Sequence, residues 1–109
     1  MSQQSIKYHK LVRDKIPEII EASSKRCTCS ILDNEAYIAM LDQKLTEELN
    51  EYQESKSMEE LADLLEVMIS VAKARGSSIE EIESIRLKKA ADRGSFDKRI
   101  LLEEVQTDD

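Results

Sequence analysis

The chain has 109 residues, of which 36% are charged and 40% hydrophobic, and its formal net charge is −7 at pH 7. This length suits one domain, residues 1–109, and is too short for two separate cores. Two glycines and one proline are too few for the turns of a β-sandwich or barrel, so the composition predicts an all-α fold. The two glycines also exclude the glycine-rich phosphate loops, so any phosphate must be held by side chains and metal ions.

Charge and hydropathy also limit the partners. The sequence contains no run of about 18 apolar residues and no signal-peptide core, so we expect a cytoplasmic protein that does not bind a membrane. The acidic charge and the low aromatic content argue against nucleic acid as a partner. Cys27 and Cys29 lack the further Cys or His residues of a zinc set, and we expect two reduced thiols with no structural metal.

In chain order, the first predicted elements are a basic N-terminal arm, residues 1–15, and a short helix over IPEIIEASS that Pro17 is placed to open. Three isoleucines form the apolar side of this helix: Ile16, Ile19 and Ile20. The next stretch, RCTCSIL, is β-branched and apolar enough to be extended. It ends at Asp33 and Asn34, and either residue can cap the helix that follows.

A long amphipathic helix is predicted from Glu35 to about Glu54. Its apolar arc recurs at three- and four-residue steps and consists of Tyr37, Ile38, Leu41, Leu45, Leu49 and Tyr52. The residues SKS, 55–57, interrupt this pattern. Ser57 and Glu60 then match a capping box, which predicts the start of a second long helix.

The second long helix, MEELADLLEVMISVAKARG, is predicted to end at Gly76. It is apolar around most of its circumference, so we expect it to be central in a helical bundle. Ser78 and Glu81 form another capping box, and a third long helix runs from there to Gly94. Its predicted buried side consists of Ile79, Ile82, Ile85 and Ala90.

The stretch TEELNEYQESKSMEELAD places seven carboxylates in eighteen positions, with Lys56 as its only positive charge. Glu48 falls within the apolar arc, where a carboxylate is costly unless it is paired or bound to a metal. Folding the two helices antiparallel about Lys56 brings Glu48 level with Asp63, and Glu51 level with Glu60. Four carboxylates in two such layers suit Mg²⁺ or Mn²⁺.

An ordinary structural interpretation of the same carboxylates stays open. Helix capping alone would explain Glu60. Asp63 falls in the polar strip of its helix, where a charged side chain needs no special explanation. Lys44 and Glu48 are spaced for an i,i+4 ion pair. Acidic runs on helices are usually solvated faces.

Two motifs carry a family resemblance. EELNE (47–51) followed by ELAD (60–63) resembles the E-E-x-x-E and E-x-x-D motifs of the all-α nucleotide pyrophosphohydrolases, the MazG-like and phosphoribosyl-ATP-pyrophosphohydrolase-like group. YHKLVRDKIPEII (8–20) and DRGSFDKRILLEEV (92–105) are similar to the opening and closing segments of small stand-alone proteins of this group. The resemblance therefore extends over nearly the whole chain.

The resemblance implies a helical hairpin that binds Mg²⁺ and hydrolyses a nucleoside triphosphate or related nucleotide between the α and β phosphates, releasing pyrophosphate. By motif position, the implied metal ligands are Glu48, Glu51, Glu60 and Asp63. The implied catalytic pair is Glu47 and Glu48, with Glu47 expected either to bind metal or to orient the attacking water. A homodimer or homotetramer with sites at the subunit interface is also implied. Only eight residues separate Glu51 from Glu60, a shorter spacer than is usual, so specificity must come from elsewhere.

Basic residues flank the acidic stretch on both sides. We expect four of them to neutralise substrate phosphate: Arg13, Lys15, Lys98 and Arg99. The alternative is that they pair with the acidic helices or lie in solvent. The C-terminal tail, residues 95–109, is predicted to be extended at first, with Phe96 anchoring it in the core rather than stacking on a base.

A different class of function also stays open, namely a non-catalytic helical oligomerisation or regulatory module on the same scaffold. Its apolar second helix would serve association, and its acidic face would only keep it soluble. The two functions differ in metal dependence, because a true cation site gains stability from Mg²⁺ whereas a solvated face responds only to ionic strength.

Overall fold

The computed structural model describes residues 6–107, so the first five residues of the arm and the last two of the tail lie outside the described part. Over that range the chain is all-helical, as predicted, with no strand. The four helices are α1 (Ile16–Ala22), α2 (Asn34–Ser55), α3 (Met58–Ala74) and α4 (Ile79–Arg93). None of these helices is both long and apolar enough to cross a membrane.

The helix boundaries follow the capping residues. Pro17 lies in the first turn of α1, and Asp33 accepts a hydrogen bond from the Ala36 N–H at 2.8 Å to begin α2. Ser78 accepts from the Glu81 N–H at 3.1 Å to begin α4. The RCTCSIL stretch has no regular secondary structure. The starts of the three long helices are therefore determined by local hydrogen bonds that are readable in the sequence.

The centre of the fold is a hairpin of α2 and α3. Lys56 adopts a left-handed conformation (φ 57°) and ends α2, and Ser57 begins α3 directly after it. α3 packs against both α2 and α4, which agrees with its predicted central place. Among the described residues, the buried hydrophobic side chains are Leu41, Val67 and Ala72, and the buried charged one is Glu48.

Several predicted core positions are exposed in the single chain. Ile82 and Ile85 on α4 are 40% and 48% exposed, so the prediction that they form a buried side is wrong for one chain. Ile19 of α1 is exposed as well. Phe96 is 96% exposed, and its predicted role as a core anchor is also wrong here. The physical reason is that the described residues of the same chain cover these side chains at most in part.

The accessible surface of the chain is unusually large. It amounts to 10413 Å² for a mass of 12.5 kDa, whereas a folded monomer of that mass exposes about 6,200 Å². The radius of gyration is 20.0 Å, against about 13 Å for a compact domain of this length. The single chain therefore leaves unburied a surface that a compact domain would cover.

Candidate metal centre

The hairpin collects five carboxylates into one cluster. Oxygen atoms of Glu48, Glu60 and Asp63 lie within 4.8 Å of one another, and the same holds for oxygens of Glu47, Glu48 and Glu51. Glu48 belongs to both groups, so it is the centre of the cluster. The five residues that the motifs predict as metal ligands or catalytic groups are thus together, contributed by α2 and α3.

Glu48 is the most constrained member of the cluster. It is 7% exposed, its Oε2 atom is buried without a hydrogen-bond partner, and its Oε1 atom lies 3.6 Å from the Lys44 ammonium. Burial raises the pKa of the Glu48 carboxyl, and the charges of Glu51 and Asp63 raise it further against the opposing charge of Lys44. One Lys contact therefore compensates Glu48 only in part.

The Glu60 side chain does not cap its own helix, because Ser55 takes the hydrogen bond that Glu60 would accept in a capping box. In a complete capping box the Glu60 side chain would accept from the Ser57 N–H. Here Ser55 Oγ accepts from that N–H at 3.2 Å, while Ser57 Oγ accepts from the Glu60 N–H at 3.2 Å. The Glu60 Oε2 atom is buried without a partner, and burial and then the Glu51 carboxylate raise the pKa of Glu60. Of the predicted capping box, only the hydrogen bond from the Glu60 N–H to Ser57 Oγ forms. The Glu60 carboxylate therefore stays available to the cluster.

Glu47 has the opposite electrostatic environment. The Lys10 ammonium donates to its Oε1 atom at 3.3 Å, and the Lys44 ammonium lies 3.5 Å from the same oxygen. Burial by itself would raise the pKa of Glu47, but these two lysines outweigh it and lower the pKa. Glu47 is therefore held deprotonated at neutral pH.

The N-terminal arm supplies positive charge at the edge of the cluster. Arg13 donates through Nη2 to Asp63 Oδ1 at 2.6 Å, across 50 positions of sequence. Lys10, which is not among the predicted phosphate ligands, contacts Glu47. Its place three residues before Arg13 in the basic arm was the available signal.

The other predicted phosphate ligands lie elsewhere in the single chain. Lys15 is exposed at the start of α1. Lys98 and Arg99 lie in the exposed tail, and over residues 6–107 no ion pair or side-chain hydrogen bond links them to the hairpin. Of the four basic residues predicted to neutralise phosphate, Arg13 contacts the cluster within the described part of this chain, and the phosphate role of all four stays a prediction.

The five carboxylates of the cluster outnumber the cationic side chains that contact them. Five carboxylates face three cationic side chains, Lys10, Arg13 and Lys44, which leaves two uncompensated negative charges. Carboxylate oxygens are the ligands that Mg²⁺ and Mn²⁺ prefer, and two buried oxygens lack any other partner. The residues present therefore fit such a cation.

A groove lies beside the cluster, between the arm and α2. Its volume is about 240 Å³, and its lining includes Tyr8, Lys10, Gln43, Lys44 and Glu47. Glu47 therefore belongs both to the carboxylate cluster and to this groove. A polar group bound there would meet two lysines and one aromatic ring.

Comparisons with family models, with curated proteins and with solved structures found no match for this chain.

Proposed function

We propose that the protein is a divalent-cation-dependent nucleotide pyrophosphohydrolase of the MazG-like type, which hydrolyses a nucleoside triphosphate or related nucleotide to a monophosphate and pyrophosphate. The observation that carries this proposal is the buried Glu48 carboxylate, which has one unpartnered oxygen and lies among carboxylates from both helices of the hairpin. A solvated acidic face would not bury such an atom, because an unsatisfied buried charge is costly. The motif resemblance supplies the reaction type.

In the proposed reaction the five carboxylates have two tasks. Glu48, Glu51, Glu60 and Asp63 hold the cation, which when bound neutralises phosphate charge and favours departure of pyrophosphate. Glu47 is kept charged by two lysines, so it can accept a hydrogen bond from the attacking water and orient that water toward phosphorus. No histidine is required as a base.

The arm and the groove support substrate binding. Arg13 contacts Asp63, and an arginine can donate two hydrogen bonds to a phosphate, so we expect it to bind substrate phosphates beside the cation. Lys10 lines the groove and carries a second positive charge within reach of the cluster. Lys15, Lys98 and Arg99 remain proposed phosphate ligands, and for Lys98 and Arg99 the proposal requires that the tail of one copy reaches the site of another in the oligomer.

We further propose that the active form is a homodimer or homotetramer. The excess surface of about 4,200 Å² per chain, the difference between the two surface areas given above, exceeds the share of one chain in most obligate dimer interfaces. The exposed apolar side chains of α3 form one candidate contact surface: Met58, Leu61, Leu65 and Met68. A second copy packed there would complete the bundle that one chain leaves open.

The decisive experiment measures pyrophosphate release from a panel of nucleoside triphosphates and phosphoribosyl-ATP, with Mg²⁺, with Mn²⁺ and with chelator. We expect cation-dependent release that Glu48→Gln and Asp63→Asn reduce by at least about 10²-fold, since each loses a charge at the reacting centre. Glu54→Gln is the matched control, because Glu54 is an exposed acid of the same helix outside the cluster.

A non-catalytic oligomerisation module is the second candidate, favoured by the exposed apolar side of α3. It predicts no release from any nucleotide of the panel and a melting temperature that does not respond to Mg²⁺. Release that persists in chelator, or that survives both cluster variants, would contradict the proposed metal-dependent enzyme.

A further inference from the structure

The C-terminal tail is rich in apolar side chains and yet uncovered. Over residues 95–107 it forms no helix, and every one of its residues is exposed in the single chain. Its large apolar side chains are between 73% and 96% exposed: Phe96, Ile100, Leu101, Leu102 and Val105. Contiguous exposed apolar side chains mark an interaction surface. The described residues of the same chain therefore leave the tail open to a partner.

The candidate contact surface of α3 is open in the same way. Its four apolar side chains are between 40% and 67% exposed, and they border a shallow depression of about 330 Å³. Because this surface and the tail are both exposed, the tail does not lie on the α3 of its own chain.

A charged edge runs along α3 beside this surface. Glu59, Asp63, Glu66 and Lys73 fall within about 80° of one another around the helix axis, with the acids first and the lysine near the C-terminal end. Over residues 6–107, no ion pair includes Glu59, Glu66 or Lys73, and all three are exposed. The charges of this edge are therefore available to a partner.

The tail carries the complementary charges in the same direction. Its basic pair, Lys98 and Arg99, precedes its acidic pair, Glu103 and Glu104. The two pairs are five positions apart, which corresponds to about 16 Å of extended chain. The middle acid of the charged edge lies ten positions before the lysine, which corresponds to about 15 Å of helix. A tail that lies parallel to α3 thus matches both ends of the edge at once.

We propose that the tail of one copy docks on the candidate contact surface of a second copy, parallel to α3. This alignment places Phe96 about level with Met58, and Ile100 about level with Leu65. The exposed apolar side chains of the two segments then cover each other. The opposite charges flank this apolar contact at both of its ends, which fixes the direction and the register of the tail.

This inference rests on the proposed oligomer and extends the proposed site. Asp63 belongs both to the charged edge and to the carboxylate cluster. A docked tail brings Lys98 and Arg99 beside Asp63 of the other copy, where their proposed phosphate role requires them. Each site is then completed by the tail of a partner copy.

The test uses Phe96→Trp as a reporter in the full-length chain, which otherwise contains no tryptophan. The reporter also carries Leu65→Lys, so its own contact surface is impaired while its tail is intact. Both positions are exposed, so folding is not at risk. Alone, the reporter should show the long-wavelength emission of an exposed indole. Excess wild-type chain contributes no tryptophan emission and supplies an intact surface, so it should shift the emission to shorter wavelength with saturation.

The matched control is excess Leu65→Lys chain that lacks the reporter, which should leave the emission unchanged. Lys73→Glu in the added chain should raise the concentration for half of the shift at least about twofold. Glu103→Lys together with Glu104→Lys in the reporter should reverse that loss, because the charges are then opposite again. Absence of the shift with wild type, an equal shift with the control chain, or failure of the charge reversal to restore binding would each overturn the proposal.

The emission requires neither nucleotide nor cation, so its outcome is separate from that of the proposed reaction. Absence of the shift together with cation-dependent pyrophosphate release would overturn tail docking and leave the enzyme proposal standing. A saturating shift without release from any nucleotide would overturn the enzyme proposal and leave tail docking standing.

Discussion

Replacement of the buried Glu48 by glutamine should change stability in opposite directions with and without cation. Its unpartnered Oε2 atom belongs to a charged group, and leaving such a group unsatisfied costs about 1–3 kcal/mol. The i,i+4 contact of Oε1 with the Lys44 ammonium at 3.6 Å offsets only part of this cost, because Lys44 is shared with Glu47. In chelator, Glu48→Gln should therefore raise the free energy of unfolding by about 1–2 kcal/mol, or the melting temperature by roughly 5–10 °C.

With Mg²⁺ at about one hundred times its dissociation constant, the wild type should gain about 2.7 kcal/mol, because the cation binds the folded state. Glu48→Gln should lose most of this gain, so that the order of stability reverses. Thermal unfolding followed by circular dichroism, at fixed protein concentration and ionic strength, measures both the stability in chelator and the stability gained with Mg²⁺. The exposed Glu54→Gln serves as the control and should follow the wild type. A Glu48→Gln variant that is destabilised in chelator, or that keeps the full Mg²⁺ response, would refute the reasoning.

Three further predictions concern pH, the arm and the interface. The raised folded-state pKa values of Glu48 and Glu60 add stability that is complete below the ordinary value of 4.5 and is lost as pH rises through the folded pKa. Thermal unfolding in chelator at a series of pH values should show this loss of stability. A stability that rises as the pH increases from 4.5 would contradict the prediction. Arg13→Gln should weaken the binding of Mg²⁺–pyrophosphate roughly tenfold, as measured by calorimetry. It should cost under about 1 kcal/mol of stability, because the ion pair of Arg13 is exposed. Unchanged binding would show that Arg13 is not part of the site. Leu65→Lys should lower the oligomer mass in light scattering, since Leu65 is 51% exposed on the candidate contact surface, and an unchanged mass would exclude that surface.

The helices and the carboxylate cluster could be predicted from the sequence because local rules determine both. Asp33, Ser57 and Ser78 cap the helices with their own side chains. Once the turn at Lys56 is known, the constant rise per residue along a helix predicts which acidic residues of α2 and α3 lie at the same height. These features depend on short stretches of chain and a single turn.

Other features required knowledge of tertiary structure. A capping-box pattern could not show that Ser55 takes the Ser57 N–H and releases Glu60. The contact of Arg13 with Asp63 joins positions far apart in sequence, and periodicity says nothing about such pairs. The helical wheel placed Ile82 and Ile85 on a predicted buried side of α4, but it could not say that a single chain leaves them exposed.

The large exposed surface has a consequence for how the folded state depends on concentration. If copies of the chain bury that surface against each other, folding and association become a single equilibrium, and dilution then acts as a denaturant. The population of intact sites would fall faster than the total protein as its concentration drops. The abundance of the protein in its cell would then determine both how much of it is folded and how much of its activity is present.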